Sequence, residues 1–303
     1  MGISAAILLL SATAAFAAPL IFAAIGELIS EKAGVINIEL EAMMLAGAFC
    51  GVWAALGSGS LAVGFIGAAL GGVLVAFAHG ILCFVFRAEQ VVSGVVLNIF
   101  VLGLTTFGMG PIFGSNFGRA TPTLSPLVFP YLSSMPIVGR LLFSYTATVY
   151  VAFLLVPAAW WLINRTKIGL ALQAAGEAPE AATSMGIKVY RVRWLALTLC
   201  GALAGIGGSQ LTLAGLGAFT QNVTAGSGFI ALAAVIFGGW KPLGTLAAVL
   251  LFTLVQAIQV RAQALGIHLP YQFLLMAPYA VTILALAAFA GGSRPPRALG
   301  SNS

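Results

Sequence analysis

One stretch of this chain cannot sit in lipid, and it constrains how everything else folds. Asn164–Arg193 reads NRTKIGLALQAAGEAPEAATSMGIKVYRVR and holds five of the thirteen cationic residues: Arg165, Lys167, Lys188, Arg191 and Arg193. Apolar runs long enough to cross a bilayer lie on either side of it. Cytoplasmic loops of membrane proteins collect Lys and Arg, so this loop sets which way the other segments face. Its centre has the marks of a short helix. Pro179 suits a first helical turn, where its missing N–H costs nothing, and Gly186 suits a left-handed stop. Between them Ala181, Ala182 and Met185 form a small apolar face beside Glu180. Two readings stay open on physics alone: a plain connector, or a handle for a soluble partner.

The chain is 61% hydrophobic and only 7% charged, against about 25% charged in a soluble domain. Several apolar runs reach the roughly 20 residues that a helix needs to span the hydrocarbon core. An all-α, polytopic integral membrane protein follows, as one transmembrane domain over residues 1–303. The excess of positive charge is spread over loops, as membrane orientation requires, and is no signal for nucleic acid. Cys50, Cys83 and Cys200 fall in apolar runs and read as small buried packers. His79 and His268 have no ligand spacing around them, so no metal site is expected.

Nine membrane segments are expected. The first is Ile3–Ile25; Ala15-Phe16-Ala17 has the form of a cleavage site, but Met1–Ser4 lacks a basic residue, so the run reads as a retained span. Gly26–Phe49 then packs Glu27, Glu31, Lys32, Glu39 and Glu41 between two spans. Gly34 is placed to break a helix there, and Asn37 to cap Ile38–Leu56. This element is either an ordinary charged loop or a re-entrant, broken helix of the kind that forms transporter sites. Leu61–Phe86, Val91–Met109, Tyr145–Ile163 and Trp194–Ala214 follow, then a short piece Phe229–Phe237, Leu243–Val260, and Tyr271–Ala290. Gly110–Ser144 is Pro-rich and reads as an extracytoplasmic loop. The breaks at Gly34 and Gly238 each lead into a span, a trace of the kind that inverted repeats leave.

With Asn164–Arg193 inside, the N-terminus falls outside and the C-terminus in the cytoplasm. Only Arg119, Arg140 and Arg261 of the cations then lie outside, as the positive-inside rule asks.

Four motifs, in order, carry a family resemblance. GELISEKAGVINIELEAMMLAGAF, EQVVSGVVLNIFVLGLT, the basic loop continuing through RWLALTLCGALAGIGG, and GSGFIALAAVIFGGWKPLGTLAAVLLF resemble permease subunits of ABC importers for nucleosides and simple sugars. The first motif favours the nucleoside branch. Glu39 and Ala42 stand where that family usually has glycine, and Ala178 where a capping Asn is usual. Loss of such a cap costs about 1 kcal/mol in a bare helix, which Glu177 offsets through the helix dipole.

The resemblance implies a bacterial inner-membrane importer built of two permease chains, usually different. A cytoplasmic ATPase with two ATP-binding halves would use ATP and Mg, and an extracytoplasmic binding protein would deliver the ligand. This chain has no Walker loop, so it is expected to bind no cofactor and to do no chemistry. The coupling set is then Glu177, Pro179, Glu180, Ala181, Ala182, Met185 and Gly186, with the three apolar side chains turned into a groove on the ATPase. Arg191 and Arg193 would hold the loop at the membrane surface. For the substrate path the candidates are Asn37, Glu41, Ser93, Asn98, Gln210 and Gln256, each polar within or beside an apolar run; helix–helix hydrogen bonding is the competing role. A simple-sugar permease is the first alternative. An ion-coupled carrier is another, argued against by seven acids that all lie in the first motif or on the cytoplasmic side. A membrane enzyme lacks any HExxH or GxSxG signature.

Overall fold

A computed structural model describes residues 3–114, 121–127, 138–264 and 294–301, with two single positions at 276 and 280. The described residues form helices and the loops between them, with one isolated bridge between Pro126 and Thr146. The helices are α1 (Ile3–Lys32), α2 (Leu40–Ser58), α3 (Leu61–Gly80), α4 (Gln90–Gly108), α5 (Val138–Leu142), α6 (Ala147–Arg165), α7 (Lys167–Glu177), α8 (Pro179–Ser184), α9 (Val189–Ser209), α10 (Ser227–Phe237) and α11 (Pro242–Ala264). Wide π-helical turns extend α3 through Val85, α4 through Phe113 and α9 through Leu216.

Seven of these helices are long and apolar enough to cross a membrane, and α10 is a shorter apolar helix. Eight of the nine expected segments are therefore helices, and the ninth, Tyr271–Ala290, lies almost wholly outside the described residues. Within α1, α2 and α9 the apolar residues run all round, as suits helices buried among others. Helix α1 sits at the centre, packed on α6, α9, α10 and α11. Helices α2, α3 and α9 form a second tight cluster. Their backbones nearly touch: a Cβ on Gly72 would stand 2.0 Å from the Gly201 carbonyl oxygen, and one on Gly208 would stand 1.8 Å from that of Met44. Small residues at such crossings are how membrane helices gain packing energy where no hydrophobic drive exists. The outer faces of α3 and α4 expose Ile66, Leu70, Leu74, Val96, Ile99 and Phe107, as a lipid-facing surface requires.

Two boundaries differ from expectation. Helix α1 does not stop at Ile25 but runs on to Lys32, so Glu27 and Glu31 ride on its last turns, fully buried. The helix continues because those carboxylates find donors inside the protein. Asn37 does not cap the next helix. Helix α2 begins at Leu40, Glu39 at its cap position makes no side-chain cap bond, and the Asn37 carboxamide is spent on Glu27. Gly34 does break the chain, at φ +88°.

The break is of the re-entrant kind. Ile36 N–H donates to Gln90 Oε1 (2.9 Å), at the start of α4. Asn98, eight residues further along α4, accepts from Ala42 N–H (2.9 Å) and donates to the Ile38 carbonyl (2.8 Å). Eight helical residues rise about 12 Å. The unwound segment 33–39 thus climbs back beside α4, and α2 starts well inside the bundle. Non-helical backbone at that depth is tolerable only because protein covers it and pairs its polar groups.

Candidate substrate cavity and coupling face

Polar side chains divide between two places. The first is a brace at the end of the bundle where α1 stops. Glu27 accepts from Asn37 N–H (3.0 Å) and Asn37 Nδ2 (2.7 Å), and Cys200 Sγ lies 3.5 Å away. Glu31 accepts from Trp240 Nε1, which belongs to the turn between α10 and α11. Trp240 holds φ +55° to reach it. The early and late helix breaks therefore touch. Glu41 accepts from Thr224 Oγ1 (2.5 Å), Gly226 N–H (2.8 Å) and Gly228 N–H (2.7 Å). A carboxylate there caps α10, whose orphan N–H groups and positive dipole end would otherwise be uncompensated in the bundle. Glu39 is buried with Oε2 3.1 Å from His79 Nδ1, and Ser93 Oγ lies 3.3 Å from the same nitrogen. Four acids are thus buried; Glu27, Glu31 and Glu41 each accept from a donor, the condition under which such groups are tolerated inside a protein, while Glu39 has only the His79 contact.

The second place is a cavity of about 620 Å³ between α1, α6, α10, α11 and the π turn after α9. It lies beside the middle of α1, and Thr224, which donates to Glu41, joins it to the brace. Phe16, Leu20, Val149 and Phe252 give it apolar walls; Gln210, Gln256, Gln259, Thr224, Ser227 and Tyr145 supply polar groups. Among the described residues no charged side chain lines it. Two of its polar groups are buried without a partner among the described residues: Gln210 Nε2 and Tyr145 Oη.

Of the six pathway candidates, Gln210 and Gln256 line the cavity. Asn37, Glu41, Ser93 and Asn98 sit in the brace or along α4 and bond other helices. Sequence reasoning missed Gln259, although three residues from Gln256 it shares a helix face. It also missed Tyr145, Phe16 and Phe252, for which the sequence carries no signal.

The basic loop folds as two helices. In α7, Gly169, Leu172, Ala175 and Gly176 are buried, and Thr166 caps its start by accepting from Gly169 N–H (3.0 Å). Helix α8 follows after Ala178, with Pro179 in its first turn. It ends at Gly186, φ +85°, where Ile187 N–H bonds the Ala182 carbonyl (3.0 Å) in the expected left-handed stop. The apolar face of α8 is split. Ala182 is buried in this chain at 4% exposure, while Met185 is 84% exposed and Glu180 and Ala181 are exposed too. Glu177, at the end of α7, is exposed beside them.

Arg193 is buried within the protein and does not reach out as the expected surface anchor. It is 4% exposed and donates through Nε to the Ala33 carbonyl (3.3 Å) and through Nη1 to the Ser301 carbonyl (3.1 Å). Those carbonyls lie at a chain break and in the tail, where no helix partner exists, and the fork geometry of Arg serves both. The three cysteines are free; Cys83 and Cys200 are buried as expected, whereas Cys50 is half-buried.

Comparison with known proteins places the chain in a family. Residues 9–290 match the family described as branched-chain amino acid transport system / permease component. The chain belongs to this permease family. It is 35% identical over 305 residues to the guanosine ABC transporter permease protein NupQ of Bacillus subtilis, covering 97% of this chain and 95% of the relative. It is 36% identical over 296 residues to the nucleoside ABC transporter permease protein NupC of Lactococcus lactis, covering 95% and 93%. A putative glucose ABC transporter permease protein, TsgC13 of Haloferax volcanii, is 42% identical over 263 residues, 86% of this chain and 79% of the relative. The Bacillus and Lactococcus strains each hold a second matching permease of lower identity. No solved structure matches the chain.

Proposed function

We propose that this chain is the membrane-spanning permease of an ATP-driven importer and forms the path for nucleosides. The observation that carries the reading is the uncharged cavity of about 620 Å³. A nucleoside is neutral, with a flat apolar face and hydrogen-bonding edges. Phe16 and Phe252 suit the face, and the carboxamides of Gln210, Gln256 and Gln259 suit the edges, since a carboxamide pairs with base edges as donor and acceptor together. The names of the nucleoside and guanosine relatives support the same class. The lack of charge among the described wall residues speaks against an ion-coupled carrier, which places ionisable residues in its path.

The chain does no chemistry in this reading. A separate ATPase with two ATP-binding halves would use ATP and Mg and dock on the exposed face of α8, at Glu180, Ala181 and Met185. A second, different permease would complete the path, supported by the paired permeases of the two relatives' organisms. A binding protein would deliver nucleoside from outside, with the basic loop in the cytoplasm and the N-terminus opposite it.

The relative named for glucose favours a second reading, a simple-sugar permease. One experiment separates them. The complex in proteoliposomes, with ATP inside, should take up labelled guanosine or uridine, with unlabelled nucleosides competing and glucose and ribose failing to. Equal competition by glucose would replace the nucleoside by a sugar.

A further inference from the structure

We infer that the C-terminal segment Pro296–Ser301 is part of the coupling machinery: it clasps the end of the ATPase-docking loop to the hinge of the re-entrant element. Two residues of the tail bond two separate elements through main chain alone. Ala298 N–H donates to the Gly176 carbonyl (2.8 Å), and Gly300 N–H donates to the Gly34 carbonyl (3.0 Å). Gly176 is the penultimate residue of α7, three residues before Pro179 opens α8. Gly34 is the residue at which the chain turns from α1 into the re-entrant segment.

The seam beneath the tail is tight. A Cβ on Gly176 would stand 2.3 Å from the Lys32 carbonyl oxygen, and one on Gly34 would stand 3.1 Å from that of Ala298. Ala298 itself is 7% exposed. Arg193, at the start of α9, holds the tail from the other side through Ser301 and the hinge through Ala33. Gln90 extends the same joint to α4: its Nε2 donates toward the Ser301 carbonyl (3.5 Å) while its Oε1 takes Ile36 N–H (2.9 Å). Displacement of α8 therefore reaches the hinge through α7, with the tail keeping the two elements from sliding apart. Beyond the hinge lie Asn37, Glu39 and Glu41, and Glu41 holds the N-terminus of α10 at the cavity wall.

The inference rests on the proposed importer and on α8 as its ATPase contact, and its test is kept apart from theirs. Ala298→Pro deletes one of the two N–H donors, and Gly300→Pro deletes the other together with the φ of +77° on which the clasp depends; neither touches α8 or the cavity. Ala298→Gly keeps the donor. In the whole reconstituted complex, nucleoside uptake and ATP hydrolysis are measured together. Each proline variant should lower nucleoside transported per ATP hydrolysed by at least about fivefold. ATP hydrolysis and co-purification of the ATPase should stay near those of the unmodified complex, and Ala298→Gly should restore coupling. An unchanged ratio in both proline variants would overturn the inference. So would a parallel loss of permease, uptake and hydrolysis that Ala298→Gly shares, because the tail would then serve folding only. Failure of the unmodified complex to take up nucleoside, or an ATPase indifferent to Met185→Arg, would strike the underlying reading instead.

Discussion

The brace and the cavity are built from the same residue types and put them to opposite use. In the brace, Asn98 bonds at both ends of its carboxamide, and Glu41 takes three donors from one neighbouring segment. In the cavity, Gln210 Nε2 and Tyr145 Oη have no partner among the described residues. A buried polar group left unpaired costs about 1–3 kcal/mol. The brace has such atoms too, at Glu31 Oε1, Asn37 Oδ1 and both Glu39 oxygens, but they face packed protein, whereas the open groups of the cavity face about 620 Å³ of space with room for a ligand. The difference teaches that polarity inside a membrane protein marks either a joint or a path, and that open space beside the polar group, more than its bonding, decides which.

The largest effect should come from breaking the joint at its most heavily bonded point. Glu41→Ala removes the acceptor for Thr224, Gly226 and Gly228 and opens the start of α10. Hydrogen bonds to a charged group contribute about 1.5–3 kcal/mol each, so thermal unfolding of the purified complex should fall sharply, together with the amount of inserted protein. A melting temperature within error of the original would show that Glu41 belongs to the path and not to the brace.

Trp240→Phe is milder. It keeps an aromatic ring, smaller by the pyrrole part of the indole, and removes the donor to Glu31, which should destabilise by about 1–3 kcal/mol and leave the apparent affinity for nucleoside alone. A raised KM with unchanged melting would place Trp240 at the substrate.

Coupling tests divide in the same manner. Met185→Arg puts a charge on a side chain that is 84% exposed, and should leave the permease folded while loosening the ATPase. Ala182→Arg buries a charge within this chain, so it should disturb the loop itself. Co-purification of the ATPase with each variant, against the yield of folded permease, separates a contact from a fold defect. Equal behaviour of the two variants would deny that the exposed face of α8 is the docking surface.

The smallest effect on stability, and the most specific on transport, belongs to the cavity. Gln210→Ala should leave the melting temperature unchanged or raise it, because a buried unpaired group is removed. The KM for uptake should rise about tenfold, the equivalent of one hydrogen bond worth about 1.4 kcal/mol. A marked loss of stability with unaltered KM would move Gln210 into the brace.

The sequence made the membrane architecture legible because hydrocarbon thickness imposes run lengths that few other constraints imitate. It also made Gly34, Pro179 and Gly186 legible, because each reports a backbone conformation that its neighbours cannot supply. The roles of Asn37, Asn98 and Gln256 were not separable from sequence. All three are carboxamides within or beside apolar runs, and only the partner across the helix distinguishes them. Arg193 was misread for a related reason: a basic residue beside a span resembles a surface anchor, and its two carbonyl partners lie 160 and 108 residues away along the chain. The end of α1 was misplaced because Glu27 and Glu31 look like loop residues until Asn37 and Trp240 are seen beside them.

Thiol labelling tests the division most directly. With Cys50, Cys83 and Cys200 replaced, single cysteines are placed at Gln256, Gln259 and Asn98, and alkylation of the assembled complex is followed with and without nucleoside. The account predicts that Gln256→Cys and Gln259→Cys react and are protected by guanosine or uridine but not by glucose, while Asn98→Cys stays unreactive. Nucleoside protection of Asn98→Cys, with Gln256→Cys and Gln259→Cys indifferent to it, would contradict the account, because the path would then run through the brace.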